Sequence, residues 1–268
     1  MQRGFPLAGK RALACGASRG IGRACALEFA RLGAGVLAVA RDRELLGSLV
    51  AEMEAVSAAA GIRARHGALP VDMRDLEALE AAVREQLESG PIHVLLHNTG
   101  GPAPGALAEA GEEELLDGLR LHLLSAHRLA RLLVPGMRAA RFGRIVNIVS
   151  TSVREPIPGL GVSNTVRGAM ASWAKTLSAE LAPHGITVNN VLPGATRTER
   201  LRRIIEVRAR RRGVSPATVE EEMKAEIPAG RFAEPAEIAA AAGFLASPAA
   251  GYITGVSLAV DGGRTRSI

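Results

Sequence analysis

The sequence predicts an α/β protein built on one doubly wound, mostly parallel sheet with helices on both faces. Short apolar runs alternate with segments whose apolar residues recur at helical spacing, and this alternation continues through the 268-residue chain. Polar or glycine-containing tripeptides follow most of the apolar runs, at the strand ends where such sheets bind ligands. No internal break or repeat is visible, so residues 1–268 are expected to form one domain.

The apolar runs locate the strands, and turn residues locate their ends. Strands are predicted near 11–15, 36–40, 62–68, 92–96, 144–149, 186–191 and 256–260. Helices are predicted near 23–32, 43–60, 75–88, 112–141 and 162–181, with a short helix after Pro235. The 112–141 helix would be adjusted at Pro135, because proline lacks the N–H that continues a helix.

A glycine-rich turn joins the first strand to the first helix. Gly16, Gly20 and Gly22 permit a tight backbone path, and the first N–H groups of the helix would point toward an anion. A strand, a glycine turn and a helix in this order are typical of a nucleotide phosphate site.

Composition argues against several classes of function. The net charge is +6, but one Trp, one Tyr and five Phe offer few base-stacking platforms, so no nucleic acid is expected. The first six residues contain no apolar signal core, and no run approaches the roughly 18 residues of a membrane span. We therefore expect a cytoplasmic protein without a membrane partner. Two cysteines without metal-ligand spacing predict no metal site.

Several ordered motifs resemble those of the short-chain dehydrogenase/reductase family over essentially the whole chain. Within the family, the chain looks most like the 3-oxoacyl-[acyl-carrier-protein] reductase branch. The motifs are the Gly-x-x-x-Gly-x-Gly turn at 16–22, the acidic Asp72, His97-Asn98-Thr99-Gly100, Asn147-Ile148-Val149-Ser150, Pro193-Gly194 with Thr198, and Tyr252-Ile253-Thr254-Gly255 with Asp261-Gly262-Gly263.

The resemblance implies a Rossmann-type fold and a nicotinamide-dependent oxidoreductase of class EC 1.1.1.-. The substrate would be a small carbonyl compound, 3-oxoacyl-like and possibly carrier-linked, or the matching alcohol. The helices near 112–140 and 162–181 would form a homodimer or homotetramer. The implied cofactor-binding residues are Gly16, Ser18, Arg19, Gly20, Ile21, Gly22, Arg41, Asp72, Met73, Asn98, Thr99, Gly100, Arg167, Pro193, Gly194, Thr196 and Thr198.

The choice between NADP and NAD depends on the charge near the adenosine ribose. A carboxylate closing the second strand would bind the ribose hydroxyls of NAD and repel a 2′-phosphate. Here Arg41 closes that strand and Arg19 lies inside the turn, so two guanidinium groups favour NADP(H) over NAD(H). Asp42 is the contrary signal, and two solvated arginines are the alternative interpretation.

The catalytic positions depart from the family pattern. The family places Tyr thirteen residues after the catalytic serine and Lys four residues further. Counted from Ser150, those positions hold Ser163 and Arg167, and the family's helix asparagine aligns with His122. Serine is a poor proton donor, and an arginine stays charged rather than giving up a proton.

Two hypotheses follow. In the first, the protein is a reductase in which Ser150, with Ser163, binds the carbonyl oxygen, while His122 or a water it holds delivers the proton. In the second, the protein binds NADP without turnover, as a sensor or assembly partner. Ser150 could instead satisfy local backbone, and His122 could pack at a subunit contact.

An arginine-rich region occupies the family's substrate lid, about 197–230. The arginines between Arg197 and Arg212 could attract an anionic acyl carrier. Alternatively they form a solvated helix that faces the acidic run 220–222.

Overall fold

Seven parallel strands form one sheet in the computed structural model, which describes residues 4–267. The strands are β1 (Arg11–Cys15), β2 (Gly35–Ala40), β3 (Gly67–Pro70), β4 (Val94–His97), β5 (Gly143–Ile148), β6 (Ile186–Pro193) and β7 (Ser257–Val260). Their order across the sheet is β3-β2-β1-β4-β5-β6-β7. The predicted fold class, a doubly wound Rossmann-type sheet, is confirmed. The single domain was predicted over residues 1–268. Of these, residues 1–3 and 268 lie outside the described residues.

Nine helices within the described residues cover the sheet on both faces. They are α1 (Gly20–Arg31), α2 (Arg43–Ala59), α3 (Leu76–Leu87), α4 (Glu112–Leu119), α5 (Ser125–Ala139), α6 (Gly161–Leu181), α7 (Glu199–Arg212), α8 (Pro216–Ala225) and α9 (Pro235–Ala246). Helices α1, α2 and α9 enclose one apolar core with the sheet, and α3, α5 and α6 enclose the other. No helix of this part of the chain is long and apolar enough to cross a bilayer.

The strand order reverses beside β1, which pairs with β2 on one side and β4 on the other. Ligands of open parallel sheets bind in the crevice outside the carboxyl ends of the two strands at such a switch point. The turn after β1 and the segment after β4 therefore border the same crevice.

The third strand lies later in the chain than predicted. Residues 62–68 were expected to form it, whereas β3 occupies Gly67–Pro70. The Val36 N–H of β2 donates a 3.2 Å hydrogen bond to His66 Nδ1. This N–H is therefore not available to pair with the backbone of a longer β3. The His66 Nε2 also lies 3.0 Å from Ser57 Oγ. Pairing therefore begins only after His66.

The predicted 112–141 helix is interrupted, and not at Pro135. One turn of π-helix, Arg120–Leu124, separates α4 from α5, and Pro135 lies inside α5. Single π-helical turns occur frequently at functional sites. This one contains His122.

The arginine-rich region forms two helices, α7 and α8. Their apolar sides share a small cluster that includes Ile205, Val219 and Phe232. Arg197 and Arg212 pair with the acidic run 220–222, at 3.8 Å to Glu220 and with Glu222 respectively. The predicted contact between this region and the acidic run is therefore present.

Candidate active site

The glycine turn after β1 is closely packed. Gly16 and Gly20 have φ values of 60° and 56°, a region that side chains other than glycine rarely adopt. A Cβ atom on Gly22 would lie 2.6 Å from Asn98 Nδ2. That amide donates to the carbonyls of Cys15 and Gly16 at 3.4 and 3.3 Å, so the end of β4 is tied to the turn.

The N-terminus of α1 is open to an anion. No side chain caps it, and its first turn contains no acidic residue. In contrast, Asp42 caps α2 by accepting a hydrogen bond from the Leu45 N–H, and Asp75 caps α3 in the same way. The N–H groups in the first turn of α1 therefore have no side-chain partner and suit a diphosphate. Ser18 precedes this turn and Ile21 lies in it.

Arg19 and Arg41 stand at the end of this crevice. The Arg19 guanidinium lies 2.8 Å from Glu199 and 3.7 Å from Asp42. Arg41 reaches Asp72 at 3.7 Å, and its side chain is 73% exposed. These contacts are at the surface and weak, so both guanidinium groups can exchange them for a phosphate. Asp42, which counted against NADP, has its own role as the cap of α2.

The remaining predicted cofactor residues lie at neighbouring strand ends. Thr198 caps α7, and its methyl carbon lies 3.2 Å from the position of a Cβ on Gly20. Thr196 Oγ1 donates to the Gly194 carbonyl at 3.0 Å, just after Pro193 at the end of β6. A Cβ on Gly100 would meet no atom within 4 Å, so a ligand can approach the backbone there. Met73 is buried after Asp72.

Ser150 follows the end of β5, and Arg167 contacts the last residue of that strand. The Ser150 hydroxyl accepts a 3.1 Å hydrogen bond from the Ser152 N–H. Arg167 Nη1 donates to the carbonyl of Ile148, two residues before Ser150, at 2.8 Å. Arg167 is buried on α6, and Ser163 is buried one turn earlier on that helix.

His122 lies in a setting that bears on both interpretations made from the sequence. It is fully buried inside the chain, so it does not pack at the surface of a subunit. Its Nδ1 bonds to Thr99 Oγ1, and its Nε2 is enclosed without a partner among the described residues. Burial, and then the charge of Arg167, hold the pKa of His122 far below its usual range. The imidazole is therefore held neutral near pH 7, which argues against His122 itself as the acid; delivery of the proton by a water that it holds stays a prediction. The one side-chain partner of His122 among the described residues is Thr99.

A second buried histidine, His97 at the end of β4, makes the fold sensitive to acid. Its Nε2 lies 2.9 Å from Ser125 Oγ. Burial, and then the charge of Arg167, lower the pKa of His97 to about 3. An unfolded histidine titrates near about 6.5, so below that pH the unfolded chain binds a proton that the folded chain excludes. The stabilisation is complete above about pH 6.5 and is lost as the pH falls toward the folded pKa.

We expect His97→Asn to reduce this acid sensitivity. One such histidine costs about 1.4 kcal/mol of unfolding free energy for each pH unit below about 6.5. Urea unfolding at pH 7 and pH 5 should show a loss that is smaller in the variant by about 2 kcal/mol. The exposed His127, changed to Asn, is the matched control. The same pH dependence in His97→Asn and wild type would contradict the assignment.

Arg200 belongs to this site, although its sequence placed it among the solvated arginines of the lid. It lies in the first turn of α7, and its guanidinium packs against Gly101, one residue after the Asn98–Gly100 segment. Surrounding protein lowers its pKa. The sequence feature that could have indicated Arg200 is its position two residues after Thr198, a predicted cofactor residue.

Within residues 4–267, no group of three or more His, Cys, Asp or Glu side chains could hold a metal ion.

Comparison with known proteins agrees with this geometry. Residues 16–265 match the family model described as enoyl-(acyl carrier protein) reductase. The chain belongs to the short-chain dehydrogenase/reductase family. It is 35% identical to the 3-oxoacyl-[acyl-carrier-protein] reductase of Haemophilus influenzae, over 95% of this chain and 98% of that protein.

Two further relatives carry NADPH in their descriptions. The NADPH-dependent reductase BacG of Bacillus subtilis is 31% identical, over 97% of this chain and 99% of that protein. The crystal structure of L-sorbose reductase from Gluconobacter frateurii, complexed with NADPH and L-sorbose, has a TM-score of 0.90 and 30% identity. That alignment covers 99% of this chain and 100% of the other.

Proposed function

We propose that the chain is an NADPH-dependent carbonyl reductase that works without a catalytic tyrosine. The observation that carries this proposal is the 2.8 Å hydrogen bond from Arg167 Nη1 to the Ile148 carbonyl. It holds a guanidinium beside the strand end that bears Ser150, at the border of the cofactor crevice. The reduction of carbonyl compounds by relatives along nearly the whole chain supports the same reaction class.

The cofactor is NADP(H), in preference to NAD(H). The uncapped N-terminus of α1 suits the diphosphate, and the backbone at Gly100 is open to a ligand. Arg19 and Arg41 would bind the 2′-phosphate through charge-assisted hydrogen bonds, in exchange for their surface contacts with Asp42 and Asp72. Two relatives with NADPH in their descriptions support the choice.

We expect Arg41→Ala to weaken NADPH binding and leave NADH binding nearly unchanged. One charge-assisted hydrogen bond contributes about 1.5–3 kcal/mol, which corresponds to about 10- to 100-fold in the dissociation constant. Titration calorimetry with each cofactor measures the effect. Arg43→Ala, at an exposed position two residues along, is the control. If NADPH and NADH binding were weakened equally, Arg41 would not be the residue that binds the 2′-phosphate.

The reacting groups have distinct tasks. When bound, NADPH would provide the hydride that the carbonyl carbon accepts. The Ser150 hydroxyl donates a hydrogen bond to the carbonyl oxygen as negative charge develops, Ser163 adds a second hydroxyl, and Arg167 adds positive charge. Because serine is a poor proton donor, the proton that completes the alcohol would come from solvent in the crevice, while the Ser150 hydroxyl keeps its hydrogen bond to the oxygen. The same path in reverse oxidises the matching alcohol.

The substrate enters beneath α7 and α8, which form the lid at 197–230. A 3-oxoacyl group on an acidic carrier is one candidate, since Arg208, Arg210 and Arg211 have no acidic partner within the described residues. Strong salt dependence with a carrier-linked substrate, absent with a small ketone, would support this candidate. The protein would act as a homodimer or homotetramer through α4, α5 and α6.

NADPH oxidation against a panel of ketones tests the proposal. The expected result is turnover by the wild type on at least one ketone, with a large loss in Ser150→Ala. The competing function, a silent NADP-binding sensor or assembly partner, predicts tight NADPH binding without oxidation on any member of the panel. Turnover that is unaffected by Ser150→Ala would contradict the assigned role of the serine.

A further inference from the structure

Arg200 occupies a place that only a glycine opposite it allows. A Cβ atom on Gly101 would lie 2.5 Å from Arg200 Nη1 and 2.7 Å from its Cζ. Gly101 directly follows the segment after β4 that borders the cofactor crevice. The α7 residue two positions earlier, Thr198, contacts the glycine turn at Gly20. The Arg200 guanidinium therefore lies beside the segment that borders the cofactor crevice, on the side of α7 that faces the site.

The positive charge of Arg200 has no partner in the chain. Among residues 4–267 it makes neither a hydrogen bond nor an ion pair, although its surroundings are dense enough to lower its pKa. Its neighbours in sequence are paired: Arg197 with Glu234 at 2.8 Å, and Arg203 with Glu199. Because the Arg200 side chain is exposed and packs on Gly101 rather than on a carboxylate, its charge is available to a bound anion.

A second guanidinium lies at the neighbouring strand end, because β5, which ends at Ile148, pairs with β4, which leads to Gly101. Arg167 is buried, donates once to Ile148 O, and has an enclosed Nε without a partner among the described residues. Burial, and then the charge of Arg200, lower its pKa to about 9. Both cations also act on His122, which bonds to Thr99. Two guanidinium groups at adjacent strand ends, neither paired with a carboxylate within residues 4–267, suit an anion.

We infer that the substrate is a keto acid whose carboxylate binds Arg200 and Arg167 while its carbonyl lies at Ser150. This inference rests on the proposed reduction and specifies its substrate class. The planar guanidinium forks match the two oxygens of a carboxylate. The cofactor diphosphate is the other anion nearby. It has the open N-terminus of α1, whereas Arg200 packs on Gly101, after the strand that pairs with the strand leading to Ser150.

Matched acids and esters test the substrate class. Pyruvate, acetoacetate and levulinate place the carboxylate at increasing distance from the ketone, and each has a methyl ester of nearly the same shape. We expect kcat/KM for one acid to exceed that for its ester by about 10- to 100-fold. In Arg200→Gln the ratio should fall to about one through loss with the acid, while the value for the ester changes little.

Two variants separate position from charge. Gly101→Ala pushes the flexible end of Arg200 aside without removing it, so it should lower the same acid-to-ester ratio. Arg63→Gln removes one exposed charge from the segment before β3 and should leave the ratio unchanged. An ester, or the N-acetylcysteamine thioester of acetoacetate, reduced as well as every acid would overturn the inference and leave the proposed function intact.

An equilibrium measurement does not depend on turnover. A hydroxy acid cannot react with the protein loaded with NADPH, because both are reduced. Calorimetry should therefore show 3-hydroxybutanoate, lactate or 4-hydroxybutanoate binding to this complex, with affinity weakened about 10- to 100-fold in Arg200→Gln. Failure of all three to bind would overturn the inference. An Arg200→Gln variant that instead binds NADPH more weakly would assign the arginine to the cofactor.

Discussion

Ser150→Ala should lower kcat for ketone reduction by about 10²–10³. Removing one preorganised donor to a developing oxyanion typically has this effect. The Ser150 hydroxyl accepts only the 3.1 Å bond from the Ser152 N–H, so its own proton is free to point into the crevice. Single-turnover oxidation of bound NADPH measures the chemical step separately from cofactor release.

Two controls accompany this variant. Ser150→Thr keeps a hydroxyl and should retain much more of the rate. Ser48→Ala removes the same group from an exposed position on α2 and should have no effect on kcat. Loss of the Ser152 contact costs about 1 kcal/mol of stability at most, which urea unfolding would show. A kcat for Ser150→Ala within a few-fold of wild type would contradict its role.

Arg167→Gln should lower kcat by about 10² or more without lowering the free energy of unfolding. The glutamine amide ends two bonds short of Nη1 and gives up the 2.8 Å contact with the Ile148 carbonyl, a loss of about 1 kcal/mol. The variant also removes a buried cation whose pKa is lowered to about 9, so it relieves a desolvation cost while removing charge from the reacting oxygen. Stability held while activity falls is the pattern of a residue retained for function.

Arg167→Lys is the matched variant for the charge. An ammonium at this place keeps a cation but loses the planar fork, so its rate should lie between those of wild type and Arg167→Gln. A buried lysine also loses its proton more readily than arginine, so its kcat should decline earlier on the alkaline side. Equal losses of activity and stability in Arg167→Gln would indicate a structural role instead.

The sequence predicted the architecture because hydrophobic periodicity and strand-end motifs both depend on local spacing. It did not locate β3 correctly, because His66 competes for a backbone donor of β2, and such a contact joins distant residues. The π-helical turn at Arg120–Leu124 was also not predicted, because it too involves a contact between residues distant in sequence. Its apolar spacing continues that of the flanking helices, and the bond between Thr99 and His122 appears only in three dimensions.

The sequence could predict which residues form the candidate site, but not the pKa values that burial gives them. The low pKa of His122 depends on its burial beside Arg167, which spacing along the chain does not express. Asp42 could have been recognised as a helix cap, since it directly precedes α2. Arg200 was hidden among many arginines, and only its packing on Gly101 distinguishes it.

The central claim is that this site transfers hydride to a carbonyl without a tyrosine. Tyr252 is the one tyrosine of the chain, and it is fully exposed. Tyr252→Phe therefore gives a protein with no tyrosine at all. We expect this variant to transfer deuterium from labelled NADPH to the carbonyl carbon of a ketone at the wild-type rate. Transfer by the wild type but not by Tyr252→Phe, or no transfer by either protein to any ketone of the panel, would contradict the claim.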